Sequence, residues 1–483
     1  MGRSFVKELK ANMIFNIVKE AATEVGLNAY VVGGYVRDII LQRSSKDIDF
    51  VCVGSGIRLA ESVHRRLGKE AKLSVFKNFG TAAIHFDGFE YEFVGARKES
   101  YREDSRKPVV EDGTLEDDQN RRDFTINALA ISLCEEDFGD LIDPFDGMED
   151  MRSMMLRTPL EPGITFSDDP LRMMRAIRFA TQLYFDIESA TFEGIVAHVE
   201  RIGIVSKERI INELNKIILA DKPSYGFQLL FHSGLLRFIF PEMADLQGVE
   251  KINGMTHKDN FYHTIQVLDN ISEMTDDLWL RWAAILHDIA KPATRKFNSK
   301  VGWTFHGHED LGAKWVPKIF RRMKLPLDER MKYVQKLVKL HLRPIALVND
   351  QVTDSAVRRM IFEAGSDIND LMTLCKADVT SKNSDRVKKY LLNFKKVEQK
   401  IKEVEKRDQI MNFNPPVTGE QIIEVFEISP SKLIGDIKAE IKEAILEGKI
   451  KNDKDEAFSL MLEIGTRRGL TANEKMIAAY ANK

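Results

Sequence analysis

VVGGYVRDIILQRSSKDIDFVCVG, at residues 31–54, decides how the first part of the chain is read. A short apolar run enters a glycine turn, a helical stretch follows, and a second apolar run carries two aspartates. In a strand, residues two apart face the same side, so Asp47 and Asp49 share one surface while Ile48 and Phe50 share the other. Two hard oxygen ligands on a rigid strand suit magnesium, which takes one or two carboxylates together with substrate phosphates. Gly33 and Gly34 let backbone amides approach an anion, a helix start follows, and Arg37 offers a guanidinium to a phosphate. The plain alternatives are a solvated strand edge and an ordinary strand-to-helix turn.

Around this stretch lie 483 residues, 43% hydrophobic and 30% charged, enough for several domains. Cys52, Cys134 and Cys375 stand far apart without CxxC spacing, which indicates neither a disulfide framework nor a structural zinc site and fits a cytoplasmic protein. The N-terminal MGRSFVKELKANMIFNIVKEAATEVG has charges inside each apolar run, so it reads as an amphipathic helix and not as a signal peptide or membrane span. A formal net charge of -3 excludes a chain that is basic throughout, but not a local basic groove for RNA.

Strand-like runs at KDIDFVCVG, FGTAAIHF and YEFVGA predict a small mixed sheet flanked by helices. From about Asp150 helical periodicity takes over and predicts an all-helical body. The Lys- and Glu-rich YLLNFKKVEQKIKEVEKRDQ reads as a solvated spacer helix leading through NFNPPVTG into a last helical module.

The motifs together resemble the nucleotidyltransferase head of class II tRNA CCA-adding enzymes and bacterial poly(A) polymerases. GGYVRDIILQRSSKDID (33–49) is similar to that family's first motif, RRDFTINALA (121–130) to its second, DPFDG (143–147) to its third and DDPLRMMRAIRF (168–179) to its fourth, in the family's order. The resemblance implies an α+β protein. A polymerase beta-like head with a small mixed sheet would span 1–155, a helical nucleotide- and RNA-binding neck 156–250, an HD domain 251–380 and a helical tRNA-binding tail 381–483. It implies in-line attack by a tRNA 3′ hydroxyl on the α-phosphate of CTP or ATP, releasing pyrophosphate. Asp47 and Asp49 are the implied catalytic residues and hold two Mg2+ ions, with Gly34, Arg37 and Arg122 among the nucleotide contacts. Glu92, in YEFVGAR, is a candidate third carboxylate if its side chain rather than Tyr91 turns inward.

In SDDPLRMMRAIRFA, Pro170 can open a helix with Asp168 or Asp169 near its N-cap. Arg172, Arg175 and Arg178 then recur every third residue on one broad face, away from Met173, Ile177 and Ala180. A surface helix laced with salt bridges would show the same pattern. Carried over from the family, Asp169 and Arg172 read the incoming base, an acceptor and a donor matched to base edges, and Arg175 and Arg178 contact the nucleotide. The family usually has glutamate where Asp168 stands. FGTA at 79–82 is similar to the CCA-adding pattern rather than to the basic stretch of poly(A) polymerases, and residues 97–124 look like the flexible loop of enzymes that switch from cytidine to adenosine. Alternating charge with few apolar residues predicts a mobile segment there.

Farther on, His263, the tandem His287-Asp288, His308 and His341 stand in helical surroundings, with Asp378 beyond. The pattern resembles an HD domain, a helical metal-dependent phosphohydrolase fold that CCA-adding enzymes carry in active and degenerate forms. The six residues are the expected ligands of a divalent transition metal. The expected partners are tRNA, CTP and ATP, without a membrane. The rival readings are a poly(A) polymerase, an HD phosphohydrolase whose head only binds nucleotide, and a non-catalytic RNA-binding protein.

Overall fold

The computed structural model describes residues 4–102, 105–252, 255–256, 258–349, 353–380, 383–411 and 413–481. The chain divides into two compact units, Met1–Pro241 and Glu242–Lys483.

The first unit is built on a seven-stranded sheet. Its strands are β1 (Ala29–Val32), β2 (Asp47–Cys52), β3 (Lys72–Phe76), β4 (Thr81–Phe86) and β5 (Phe89–Gly95), and, after the separate hairpin of β6 (Arg97–Arg102) and β7 (Ser105–Asp112), β8 (Ala130–Ser132) and β9 (Leu141–Ile142). The spatial order is β3-β4-β5-β2-β1-β8-β9. All neighbours are antiparallel except β2 and β5, so the sheet is mixed as expected. Its covered face rests on aromatic packing: Phe50 stacks on Phe93 with ring centroids 5.0 Å apart, and Phe15 from the helix Met13–Val25 meets Phe50 at 6.0 Å. That face excludes water, which leaves the opposite face of β2 and β5 to carry the carboxylates.

Three local expectations are corrected. The N-terminal amphipathic segment is two helices, Val6–Lys10 and Met13–Val25, because Asn12 turns out of the helix and its side chain caps Ile14 N at 3.1 Å. The segment expected to be mobile forms the antiparallel β6–β7 hairpin, whose register sets Arg97 opposite Asp112 and Lys98 opposite Glu111. Opposite charges across a ladder favour that pairing; the side chains of residues 99–110 lie outside the described ones. The helix read as a solvated spacer, Ser384–Asp408, buries Phe394, Val397, Ile401 and Val404, a stripe at helical spacing.

The second unit is helical apart from short two-stranded pairs such as Lys296–Asn298 with Gly302–Thr304. Among the described residues no helix is long and apolar enough to cross a membrane.

Candidate functional site

The head site begins with β2. Ile48 and Phe50 are fully buried, Asp47 is exposed and Asp49 half-buried, as strand alternation requires. The parallel register with β5 sets Asp49 beside Glu92 and Asp47 beside Glu90. Parallel partners in register point to the same face, so Glu92 faces the aspartates while Tyr91 is buried on the other side. Burial pushes the Asp49 carboxyl above its ordinary range; Arg122 opposes this, and Asp47, Asp118 and Glu90 add to it. Burial also raises Glu92, with Asp49 and Glu90 contributing and Arg97 opposing. Mutual repulsion of this kind is what a bound cation relieves, and the hard oxygen set fits Mg2+.

Gly33 has φ +73, a conformation that L side chains rarely adopt, and leads into the short helix Gly34–Ile40. A Cβ on Gly33 would lie 2.9 Å from Arg122 Nη1 and 3.5 Å from Asp49 Oδ2, so the glycine is what lets the turn close over both groups. Arg122 donates from Nε to Asp118 at 3.0 Å. Burial opposes ionisation of Asp118, yet Arg122 and Arg121 hold its carboxyl below the ordinary value. A cleft of about 460 Å³ is lined by Asp49, Phe79, Glu92, Arg97, Arg121 and Arg122.

The other arginines have internal partners. Arg37 donates to Asn127 Oδ1 at 2.8 Å and to Asp38 Oδ1 at 2.9 Å, and it lines a separate cleft with Arg178. On the helix Leu171–Leu183, Asp169 accepts from Leu171 N at 3.1 Å, the capping role expected of it. Its second oxygen accepts from Arg209 at 3.1 Å. Arg172 donates to the backbone carbonyls of Thr165 and Arg121, Arg175 pairs with Asp123 at 2.6 Å, and Arg178 pairs with Glu213. Arg172 and Arg178 are buried along with Met173, Ile177 and Ala180, so this is not the solvated face that a charge run usually signifies. The ring of Phe179 lies 3.9 Å from the Arg178 guanidinium carbon, 5.1 Å from that of Arg37 and 5.3 Å from that of Arg175. Arg209 and Glu213, both on Lys207–Ile218, and Phe179 escaped sequence reasoning; only helical spacing between 209 and 213 hinted at a shared face.

In the second unit all six expected ligands converge. His263 Nε2 is 3.0 Å from Asp378 Oδ1 and 3.4 Å from Asp288 Oδ2; His287 Nε2 is 3.2 Å from Asp288 Oδ2, and His308 Nε2 is 3.2 Å from Asp288 Oδ1. The ligand atoms of His263, His287 and Asp378, and those of Asp288, His308 and His341, form two groups within 4.8 Å. Helix ends position them: His287 and His341 close Leu278–Leu286 and Glu329–Leu340, His308 opens His308–Met323, and Asp378 closes Ile368–Ala377.

Nδ1 of His287, His308 and His341 each lies 2.7 Å from the carbonyl oxygen three residues earlier, in Ala284, Phe305 and Val338. A carbonyl only accepts, so each Nδ1 carries the proton and each Nε2 presents its lone pair inward when the ring is neutral. Two such nitrogens, of His308 and His341, face each other at 3.3 Å, and that of fully buried His287 faces the Asp288 carboxylate. This donor set fits a divalent transition metal. Burial opposes ionisation of Asp288 and Asp378, but the imidazole partners, joined at Asp288 by Lys291, hold both carboxyls below the ordinary range. A cavity of about 790 Å³, walled in part by Tyr262, Arg386 and Tyr390, opens on His263 and Asp378.

Three family models match the chain: the poly A polymerase head domain at residues 29–157, a probable RNA and SrmB-binding site of polymerase A at 184–246, and the HD domain at 260–381. An A-adding tRNA nucleotidyltransferase of Aquifex aeolicus is 40% identical over 199 residues, 41% of this chain but 24% of that protein. The chain thus spans about a quarter of the length of that relative and of its Geobacter sulfurreducens counterpart. A relative of the same name from Deinococcus radiodurans is 30% identical over 70% of this chain and 76% of its own length. A CCA-adding enzyme of Streptococcus pyogenes is 29% identical over 92% and 94%. A solved CCA-adding enzyme, apo form II, superposes with TM-score 0.63 at 25% identity, over 95% of this chain and 99% of that one. With the polymerase head, the HD unit and a relative at 30% identity matched over three quarters of its length, the chain belongs to the tRNA nucleotidyltransferase family built on the poly(A) polymerase head.

Proposed function

We propose that this protein adds C, C and A to the 3′ end of tRNA from CTP and ATP without a nucleic-acid template, in the cytoplasm. The observation that carries the reading is the common face of Asp47, Asp49 and Glu92, closed on one side by the Gly33 turn and Arg122. Asp47 and Asp49 would hold Mg2+, which would acidify the attacking 3′ hydroxyl and stabilise the departing pyrophosphate. Asp169 and Arg172 read the incoming base, and Gly34, Arg37, Arg122, Arg175 and Arg178 serve the nucleotide. Asp123 and Glu213 fix the positive charge of that helix before a triphosphate arrives, the preorganisation that electrostatic catalysis needs. Similarity to the S. pyogenes CCA-adding enzyme along nearly the whole of both chains supports CCA addition.

The working divisions we propose are a head at 1–155, a neck at 156–250, an HD domain at 251–380 and a tRNA-binding tail at 381–483. At the HD cluster His263, His287, Asp288, His308, His341 and Asp378 would hold a divalent transition metal, which supplies Lewis acidity for hydrolysis of a phosphate ester.

A second reading, addition of the terminal A alone, is favoured by the A-adding names of the A. aeolicus and D. radiodurans relatives. The deciding experiment offers tRNA transcripts ending before CCA, or after CC, with CTP, ATP or both, and resolves products to single nucleotides. Two C then one A supports CCA addition. A single A placed only on the CC-ended transcript assigns the A-adding reading, and long A tracts overturn both. Asp47→Ala with Asp49→Ala should abolish transfer, and Glu92→Gln should lower kcat more than tenfold if its carboxylate serves the same metals.

A further inference from the structure

Phe79 is 75% exposed, and among the described residues no large hydrophobic side chain is more so. Exposed apolar residues are ordinary when scattered, but this one lines the cleft that also holds Asp49, Glu92 and the guanidinium residues Arg97, Arg121 and Arg122. Phe76, 49% exposed, stands at the other end of the same turn. Phe15, Phe50 and Phe93, which pack together on the covered face of this sheet, are fully buried, and Phe86 and Phe89 at the far ends of β4 and β5 are half-buried. The turn is held: Gly80 adopts φ +66 and its amide donates to Lys77 O at 3.3 Å, and Thr81 is in register with both Phe76 and Val94. A flat apolar ring is therefore presented from a fixed position beside the catalytic carboxylate.

Resting on the nucleotidyl-transfer reading, we propose that Phe79 is the platform on which the terminal base of the RNA primer stacks, setting its 3′ hydroxyl toward Asp49. Single-stranded nucleic acid ends are held by base–aromatic stacking together with cations along the backbone, and the cleft supplies both. The incoming nucleotide is the less suitable occupant. Choosing a base needs hydrogen-bonding groups, which a phenyl ring lacks, and Asp169 and Arg172 do not line this cleft. A stacking platform accepts any base because every base has a π face. That tolerance suits a primer whose last nucleotide changes after each addition. Phe79 is on this account a positioning residue for the primer.

The test is steady-state transfer by the full-length protein on transcripts lacking CCA, ending in A, G, C or U, with Phe79→Ala, Phe79→Leu and Phe79→Trp. Phe79→Ala is expected to raise KM for tRNA about tenfold, within the range that one base–aromatic stack contributes, by a similar factor for all four ends and with KM for CTP unchanged. Phe79→Leu, apolar but without a π face, should resemble Phe79→Ala, whereas Phe79→Trp should restore the wild-type KM. An unchanged KM for tRNA in Phe79→Ala, or wild-type behaviour of Phe79→Leu, overturns the platform while transfer that depends on Asp47 and Asp49 leaves the wider reading standing. A rise in the nucleotide KM instead assigns Phe79 to the incoming base and also overturns it. Absence of transfer by the wild-type protein on these transcripts and on a CC-ended one overturns both.

Discussion

Replacing Asp123 by asparagine tests whether the arginine helix is held by buried charge. The Asp123 carboxylate accepts from Arg175 Nε at 2.7 Å, from Asn127 Nδ2 at 3.0 Å and from the amide of Phe124 at 2.9 Å. Burial opposes its ionisation, but Arg175, Asn127 and Arg172 together bring its pKa down from 3.8 to about 2. At about 1.36 kcal/mol per tenfold change, that gap corresponds to about 2.4 kcal/mol. Because the folded value lies below the unfolded one, the contribution is complete well above pH 3.8 and is lost as pH falls through about 2. Proton linkage leaves about 1.3 kcal/mol of it at pH 3. Asp123→Asn keeps the shape, removes the charge and turns an amide donor toward Arg175, so a destabilisation of about 2–3 kcal/mol is expected at pH 7. Urea unfolding followed by far-UV circular dichroism reads the effect. The four tryptophans, Trp279, Trp282, Trp303 and Trp315, all lie in Glu242–Lys483, so their fluorescence follows that unit separately. A loss below about 0.5 kcal/mol, which is the scale of an ordinary surface substitution, or an equal loss at pH 7 and pH 3, would refute the argument.

Gly33→Ala places a Cβ 2.9 Å from Arg122 Nη1 in a left-handed backbone. The conformational cost is about 1–2 kcal/mol, and displacement of Arg122 from Asp49 should lower kcat for nucleotide transfer more than tenfold; an unchanged kcat in a folded variant contradicts the proposed role of the turn. For the second unit, Mn2+, Co2+, Ni2+ or Zn2+ at a hundredfold excess over its Kd should stabilise the protein by about 2.7 kcal/mol. The shift is read by tryptophan fluorescence during unfolding, is reversed by a chelator and is lost in Asp288→Asn; no shift with any of the four ions in the wild type contradicts the metal assignment.

What could be read from the sequence was local. The alternation of Asp47 with Ile48 and of Asp49 with Phe50 follows from strand geometry alone, and the tandem His287-Asp288 advertised its site through chemistry that core packing seldom needs. What could not be read depends on pairing across distance. Glu92 turns toward Asp49 only because β2 and β5 run parallel in one register. The internal partners of the arginine helix were not legible, and a solvated face would show the same spacing, since Asp123 and Glu213 lie 52 and 35 positions away. The β6–β7 pairing was hidden for a related reason: its alternating charges read as a mobile segment, and only the register sets Arg97 and Lys98 against Asp112 and Glu111. Strands as short as Ala130–Ser132 and Leu141–Ile142 carry too little periodicity to be seen before the sheet that recruits them.

The two candidate sites differ in donor chemistry in a way that would separate the metals proposed for them. The head offers carboxylates on a half-open face, where β2 and β5 supply oxygen and, on the proposed reading, substrate phosphates would complete the shell. The second unit offers four imidazoles and two carboxylates, with three of the rings locked by backbone carbonyls three residues earlier. Imidazole raises affinity for later first-row ions over Mg2+, and ring locking removes the orientational entropy that a loose ligand would lose on binding. On the proposed reading, the chain would keep a transition ion in one unit while Mg2+ exchanges with nucleotide in the other. The reason lies in the sequence: acids placed two apart on a strand make a shared face, whereas histidines placed at helix ends gain a carbonyl to orient them.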